Sequence, residues 1–233
     1  NDHLALAGDD NKSFAEKLNQ EFIIAASNGL PGDRIRQSLY STRLSSLAFK
    51  KTYAATSTVS GLGLFAASDI VPGEILTCYP GDAIIIRKDE NDSILWGSHI
   101  PDERIKTSER IRSTYLLATG IEDWSIVALP ELGTNDASYL GHYANDGADP
   151  PSCEAELSTY VLASQERSNA MHRDWENCHM VTIATKSIKE GEEIFVSYGP
   201  VYWMQQESFG TLGKKRRRKR KDQSGIGNGK GFG

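Results

Sequence analysis

The chain of 233 residues is long enough for one sizeable hydrophobic core with a smaller attachment, and its 39% hydrophobic residues are ordinary for a globular protein. No apolar run approaches the roughly 18 residues of a bilayer-spanning helix, so we expect no membrane partner, and three scattered cysteines exclude a disulfide framework. The net charge of −5 hides an asymmetry, because eight consecutive basic residues at 214–221 leave 18 basic against 31 acidic residues elsewhere.

The first predicted element is a helical hairpin over residues 12–48. Apolar residues recur every three or four positions, as on one face of a helix, at Phe14, Leu18, Phe22 and Ala25. Asn28-Gly29 supplies a stop signal. Asp33 is the expected cap of a second helix, which carries Ile35, Leu39 and Leu44.

From Tyr53 to Tyr202 the sequence consists mostly of short β-favouring runs separated by Gly, Pro, Asn and Asp. The predicted strands are 63–66, 74–79, 83–86, 125–129, 180–184 and 193–198. Helices are predicted over 102–116 and 154–167. We therefore predict a mainly β fold with short helices, of the α+β class, and no fold for the Gly-, Lys- and Arg-rich end beyond Gly210.

Three separated segments carry the candidate chemistry. Gly61-Leu62-Gly63 precedes a strand, where glycines let the backbone approach a ligand closely, although the pair taken alone is more often a purely structural turn. Residues 140–150 read LGHYANDGADP, a tight polar loop or an ordinary surface turn. Residues 184–203 form a turn and a strand that ends at Tyr198 beside a glycine, an arrangement that also suits an aromatic cap on a core.

In this order the three segments resemble the SET domain of protein lysine methyltransferases. That family has a GxG-led strand with a downstream Y-x-G, here Tyr79-Pro80-Gly81, then a G-R-F-x-N-H-S-C-type loop, and an ending with G-E-E and Y-G. The resemblance implies small β-sheets around a knot-like C-terminal segment, preceded by the helical hairpin. It divides the chain into a helical segment (1–51), a SET domain (52–204) with a substrate-side insert (87–114), and a disordered basic tail (205–233).

The resemblance also implies roles for particular residues. Tyr198 matches the catalytic tyrosine, and Tyr115 occupies the position of an aromatic residue of the lysine channel. The residues implied to bind the cofactor, S-adenosylmethionine, are Gly61, Leu62, Gly63, His142, Tyr143, Asn145, Asp146, Tyr198, Tyr202 and Trp203. No histidine or cysteine has the spacing of a metal site, so no metal is expected.

Two residues of the middle loop depart from the family pattern. His142 stands where the family usually has Arg, and Asp146 stands where it usually has His. Replacement of the Arg removes a fork that pairs with carboxylates, and Asp146 adds a negative charge. Two functions from different classes follow. The first is an active methyltransferase, and the second is an inactive SET-fold binding or scaffold protein with a nucleic-acid-binding tail.

The expected reaction transfers a methyl group to a lysine of another protein, such as a histone. A narrow aromatic channel and the positive sulfonium both disfavour the charged ammonium, so they lower the lysine pKa from about 10.4. Tyr198 then positions the amine. The basic run at 214–221 predicts nuclear import, with a nonspecific nucleic-acid contact or a solvated tail without a partner as the alternatives.

Overall fold

The computed structural model describes residues 9–45, 47–87, 93–96, 115–129, 136–204 and 206. Within these ranges the chain forms two compact units. The first unit runs up to Asn145 and resumes over Ser168–Val196, and the second contains Asp146–Arg167 and the described residues from Ser197 onward. The domain boundaries predicted after residues 51 and 204 stay predictions. No helix in the described ranges is long and apolar enough to cross a bilayer.

The first helix, α1 (Asp9–Ser27), packs the predicted apolar face into the core of the first unit. Phe14 is fully buried on this face. Asn11 ties the start of the helix to the sheet, since its Nδ2 donates to the Gly73 carbonyl at 2.9 Å and its Oδ1 accepts from the Ile75 amide at 2.8 Å. The predicted helix is therefore confirmed, and it belongs to the same core as the strands.

The hairpin turn follows the predicted stop signal. Gly29 adopts a φ of +76°, the left-handed conformation that glycine takes at helix ends without strain. The second helix, α2 (Gly32–Tyr40), is shorter than predicted and ends before Leu44, which is buried outside it. Asp33 lies in the first turn, and the capping position is Pro31, which makes no side-chain cap bond, so the predicted cap is wrong.

All strands of the described residues lie in the first unit. They are β1 (Thr52–Thr56), β2 (Leu62–Ala66), β3 (Ile75–Cys78), β4 (Ala83–Arg87), β5 (Ser93–Trp96), β6 (Leu116–Ala118), β7 (Trp124–Val127), β8 (Ala170–Trp175), β9 (His179–Ala184) and β10 (Glu193–Ile194). Three antiparallel sheets result, with the orders β1-β2-β10, β3-β9-β8 and β5-β4-β7-β6. The predicted mainly β, α+β class is confirmed.

Burial explains which strands are central. Every residue of β9 is buried, because this strand lies between β3 and β8 and carries the apolar cluster that receives α1 and α2. The four-stranded sheet contributes Ile84 and Ile126 to a second cluster around Tyr40 and Tyr79. Together the two clusters contain residues of β3 and β9, the two strands against which Gly141 of the middle loop packs.

Two predicted elements differ from the structure. The helix expected over 102–116 lies outside the described residues except for its last two, and there it is wrong, since Leu116 begins β6. The strand expected over 193–198 is only two residues long, and Tyr198 lies in an irregular segment. Of the insert predicted at 87–114, the structure describes Arg87, which ends β4, and β5.

The second unit is helical within its described residues. A 3-10 turn over Glu154–Glu156 leads into α3 (Leu157–Arg167), which confirms the helix predicted over 154–167. A short helix, α4 (Gly199–Met204), begins immediately after Tyr198 and was not predicted. The two helices contact each other.

Candidate functional site

The glycine-led turn and Asn145 meet in the first unit. Gly61 has a φ of +51° and closes the β1–β2 turn, with its carbonyl accepting from the Ser57 amide at 2.9 Å. The Nδ2 of Asn145 donates to the carbonyls of Ser60 and Leu62, both at 3.1 Å. The side-chain amide of Asn145 therefore joins the middle loop to the glycine-led turn through two hydrogen bonds.

The third segment reaches the same residue. The Asn145 carbonyl accepts from the Val196 amide at 2.9 Å, and Asn145 forms a parallel bridge with Phe195. Its Nδ2 also lies 3.2 Å from Oε1 of Glu193 on β10. Parts of all three segments thus converge on Asn145, although they are separated by more than 130 positions along the chain.

Gly63 is required by close packing rather than by backbone strain. A Cβ at this position would collide with the Glu193 carboxylate and lie 3.0 Å from the Cβ of Ser57. At Gly61 the surroundings are open, and the positive φ is the constraint. The two glycines of the pair therefore serve different physical purposes.

The middle loop is a buried 3-10 turn over Gly141–Tyr143, not the surface turn that was its alternative interpretation. Gly141 lies so close to β3 and β9 that a Cβ would approach the Thr182 hydroxyl at 2.7 Å and the Cys78 carbonyl at 2.9 Å. His142 is only 5% exposed, and neither ring nitrogen has a hydrogen-bond partner within the described part of the chain.

His142 lies in an aromatic cluster. Its ring centroid is 3.9 Å from that of Tyr143, 5.5 Å from that of Tyr115 and 6.4 Å from that of Tyr79. Burial, with a smaller contribution from the positive charge of Arg43, lowers the pKa of His142 to about 4. His142 is therefore neutral at pH 7 and offers one N–H donor and one acceptor.

Tyr115 borders this cluster. Burial, followed by the influence of Tyr143, raises the pKa of its phenol, so the hydroxyl stays protonated at neutral pH. His172, whose ring is 5.1 Å from that of Tyr79, also has a pKa lowered to about 4, mainly by burial and then by His142. At the position where the family usually has a positively charged Arg, this chain therefore has a neutral imidazole within an aromatic cluster.

Asp146 organises the second unit. It is 4% exposed, and Oδ2 accepts from the Tyr160 hydroxyl at 2.5 Å, the Ser164 hydroxyl at 3.1 Å and the Tyr198 amide at 2.9 Å. Its Oδ1 accepts from the Ala148 amide at 3.0 Å. The carboxylate is therefore engaged in internal hydrogen bonds, and the cofactor contact expected of Asp146 stays a prediction.

Tyr198 lies in an aromatic cluster of the second unit. Its ring centroid is 4.7 Å from that of Tyr202 and 6.0 Å from that of Trp203. Gly199, with a φ of +77°, lets the chain turn directly into α4, which carries both partners. The Nε1 of Trp203 is buried and has no hydrogen-bond partner among the residues described.

Sequence reasoning missed several residues of these arrangements. Tyr160, Ser164 and Arg167 have the i, i+4, i+7 spacing of one helix face, a signal that was available in the sequence. Glu193 lies in the G-E-E motif but was not assigned a role. No group of three potential metal ligands occurs among the described residues.

Comparison with known proteins places this geometry in a family. The family model of the SET domain matches residues 61–199, more than half of the chain. A crystal structure of a Plasmodium falciparum candidate histone methyltransferase is similar, at 18% identity over 67% of this chain and 99% of that one, with a TM-score of 0.35. No curated protein matches the sequence. On the extent of the family match, which spans all three converging segments, the chain belongs to the SET-domain family of methyltransferases.

Proposed function

We propose that the protein is an S-adenosylmethionine-dependent protein-lysine N-methyltransferase. The observation that carries the proposal is the convergence of the three family segments on Asn145, with the Tyr-Gly pair retained at Tyr198-Gly199. A chain that had kept only the family's scaffold would not need to keep the tyrosine. By the family resemblance, Tyr198 and Tyr115 are the residues of the methyl-transfer channel.

The residues present suit S-adenosylmethionine, a cation with an adenine ring and an amino-acid moiety. In the first unit, the Glu193 carboxylate beside Asn145 offers negative charge, and His142 offers a donor and an acceptor without adding positive charge. In the second unit, the unpartnered Nε1 of Trp203 offers a donor. When bound, the cofactor supplies a methyl group on a positively charged sulfur, which an amine can displace.

By the family resemblance, the residues proposed to bind this cofactor are Gly61, Leu62, Gly63, His142, Tyr143 and Asn145 of the first unit and Asp146, Tyr198, Tyr202 and Trp203 of the second. Asn145 is the central one, because its side chain fixes the turn and its carbonyl fixes the strand-like segment at Val196. Asp146 contributes to the loop's shape through its internal hydrogen bonds.

The role proposed for the tyrosines is to exclude water from the lysine amine and to orient it. An ammonium that loses its water in an apolar aromatic environment has a lowered pKa, so a proton can leave before the amine attacks. Tyr115 remains a neutral phenol and adds no charge that would stabilise the ammonium. Tyr198 then accepts or donates one hydrogen bond to hold the amine in line, which is a positioning contribution.

The proposed substrate is a basic, lysine-rich protein such as a histone. Outside the run at 214–221 the chain has 31 acidic residues and only 18 basic ones, so its net negative charge should attract cationic partners over long range. The run itself is the proposed nuclear import signal, and it also suits nonspecific contact with nucleic acid.

Two measurements test the proposal. Calorimetry should detect binding of S-adenosylmethionine, and radiolabelled methyl groups should transfer to histones or to proteins of a nuclear extract.

Tyr198→Phe should lower kcat by about 100-fold or more while cofactor binding persists, because only the hydroxyl that positions the amine is lost. Tyr53→Phe is the matched control, since Tyr53 is an exposed tyrosine of β1 stacked on Phe65. Equal turnover of the two variants would contradict the role of Tyr198.

A second candidate function is an inactive binding or scaffold protein. The observation that favours it is the replacement of two family residues, by the neutral His142 and by Asp146, whose carboxylate is fully engaged internally. Absence of both cofactor binding and methyl transfer, with retained binding of nucleic acid to the full chain, would select this candidate.

A further inference from the structure

The carboxylate of Asp146 is buried and accepts four hydrogen bonds, which is as many as its two oxygens usually accept. Two of the donors are hydroxyls, of Tyr160 and Ser164, and can rotate. The other two are backbone amides, of Ala148 and Tyr198, and cannot. Hydrogen bonds to an ionised acceptor are shorter and stronger than neutral ones.

The two fixed amides lie on different oxygens of the carboxylate. The Ala148 amide donates to Oδ1, and the Tyr198 amide donates to Oδ2. An asparagine in this place has one carbonyl oxygen and one NH2 group, so one of the two amides would face a donor in either orientation of the side chain. Only a carboxylate offers an acceptor oxygen to both amides, so an asparagine, although nearly identical in shape, would lose one of these hydrogen bonds.

One face of α3 holds the carboxylate in position. Tyr160 and Ser164 contact Oδ2, and Arg167 donates from Nη1 to the Gly147 carbonyl at 2.5 Å. The Ser164 hydroxyl, whose one proton goes to Asp146, accepts from the Ser197 hydroxyl at 2.7 Å, so the residue just before Tyr198 is tied to the same helix face.

The ring and the backbone of Tyr198 are restrained by different groups. Tyr202 and Trp203 pack against the ring, and Trp203 also packs against Tyr160 at a centroid distance of 6.0 Å. Asp146 restrains the amide. Loss of the Asp146 bond should therefore release the backbone at Tyr198 while the ring contacts persist.

We propose that Asp146 is a positioning residue for Tyr198, and that α3 sets the placement of the catalytic tyrosine through it. Asp146 thus takes over the place of the family's His in this chain, with the hydroxyls of Tyr160 and Ser164 as its supports. The kinetic part of this inference rests on the proposed methyltransferase function, whereas the structural part does not.

The test is Asp146→Ala in the full-length protein, which removes the acceptor of the Tyr198 amide altogether, with Ser152→Ala as the matched control. Ser152 is buried in the same unit, and its replacement removes a hydrogen bond to Glu156 and none to Asp146. Amide hydrogen exchange of Tyr198, read by NMR at a pH where both variants are folded, should accelerate about tenfold or more in Asp146→Ala and stay near the wild-type rate in Ser152→Ala. Unchanged exchange in Asp146→Ala would overturn the proposal.

Kinetics give the second readout. Asp146→Ala should lower kcat about 10- to 100-fold with little change in the KM for the cofactor, because the misplaced group acts in the transition state. A rise in that KM with unchanged kcat would overturn the proposal and return Asp146 to cofactor binding. If the wild-type protein transfers no methyl group, the proposed function fails, but the exchange experiment still decides whether Asp146 holds Tyr198.

A second variant covers the case in which Asp146→Ala does not fold. Tyr160→Phe keeps the ring that packs on Trp203 and removes only the hydroxyl donated to Asp146. We expect Tyr198 exchange to rise about threefold, since the carboxylate loses one support but keeps its bond to the amide. Exchange equal to that of Ser152→Ala would refute the link from α3 to Tyr198.

Discussion

His179 provides a test of the core by pH alone. This residue of β9 is 1% exposed, and its two nitrogens are both satisfied. Its Nδ1 donates to the Leu39 carbonyl at 3.0 Å, and its Nε2 accepts from the Tyr139 hydroxyl at 3.1 Å, which in turn accepts from the Leu44 amide at 2.5 Å. This chain of bonds joins β9 to the end of α2 and requires a neutral imidazole.

The magnitude follows from the pKa. Burial lowers the pKa of His179 to about 4, from 6.5, against smaller raising effects of the backbone around it. The unfolded chain therefore binds a proton between pH 6.5 and 4 that the folded chain does not bind. Stability contributed by the neutral histidine is fully present above pH 6.5 and is lost as the pH falls. The linkage relation gives a loss of about 2 kcal/mol at pH 5 and about 3 kcal/mol at pH 4.

Urea unfolding at pH 7 and pH 5 measures this loss. Carboxylates also titrate in this range, so the comparison is with His179→Gln, which cannot be protonated and shares all the other groups. We expect the free energy of unfolding of the wild type to fall by about 2 kcal/mol more than that of the variant between the two pH values. The variant is expected to be less stable at pH 7, because the imidazole fits this position. Parallel pH dependence of the two proteins would refute the reasoning.

Three further predictions follow from separate features. Gly63→Ala should lower the free energy of unfolding by about 1–3 kcal/mol, because its Cβ collides with the Glu193 carboxylate of β10. Gly61→Ala, which has open space around it, should lower it by only about 1 kcal/mol, because of the positive φ. Urea unfolding of both variants tests whether Gly63→Ala is the more destabilising. Asp82→Ala should lower the free energy of unfolding by about 3–5 kcal/mol, because it leaves the largely buried Arg43 without the carboxylate to which it donates at 2.8 and 3.0 Å. This loss should be the same in about 1 M salt and in low salt, since a buried ion pair is poorly screened, and a loss below about 1 kcal/mol would contradict the prediction. Deletion of 214–221 should abolish nuclear accumulation of a fluorescent fusion, and an unchanged distribution would remove the localisation proposal.

Local patterns predicted much of the secondary structure because they depend on neighbouring residues. The apolar period of α1, its glycine stop and the runs of β3, β4, β7 and β9 were all visible in the sequence and are confirmed. The strand through Tyr198 was predicted wrongly, since after Ile194 the β-favouring residues make only an isolated bridge, from Phe195 to Asn145, and no ladder. The helix α4 was missed because Tyr198-Gly199-Pro200 indicates a turn and the glycine's positive φ sends the chain into a helix.

The sequence by itself determined the family, because the three motifs and their order along the chain can be read without knowing the fold. It did not determine what His142 and Asp146 do, although both stood out as departures. Only the tertiary structure decided that His142 is neutral within an aromatic cluster and that Asp146 receives hydrogen bonds from α3 and Tyr198. The physical reason is that charge state and hydrogen-bond partners depend on burial and on groups far apart in the chain, and neither is encoded in the residues adjacent to a position.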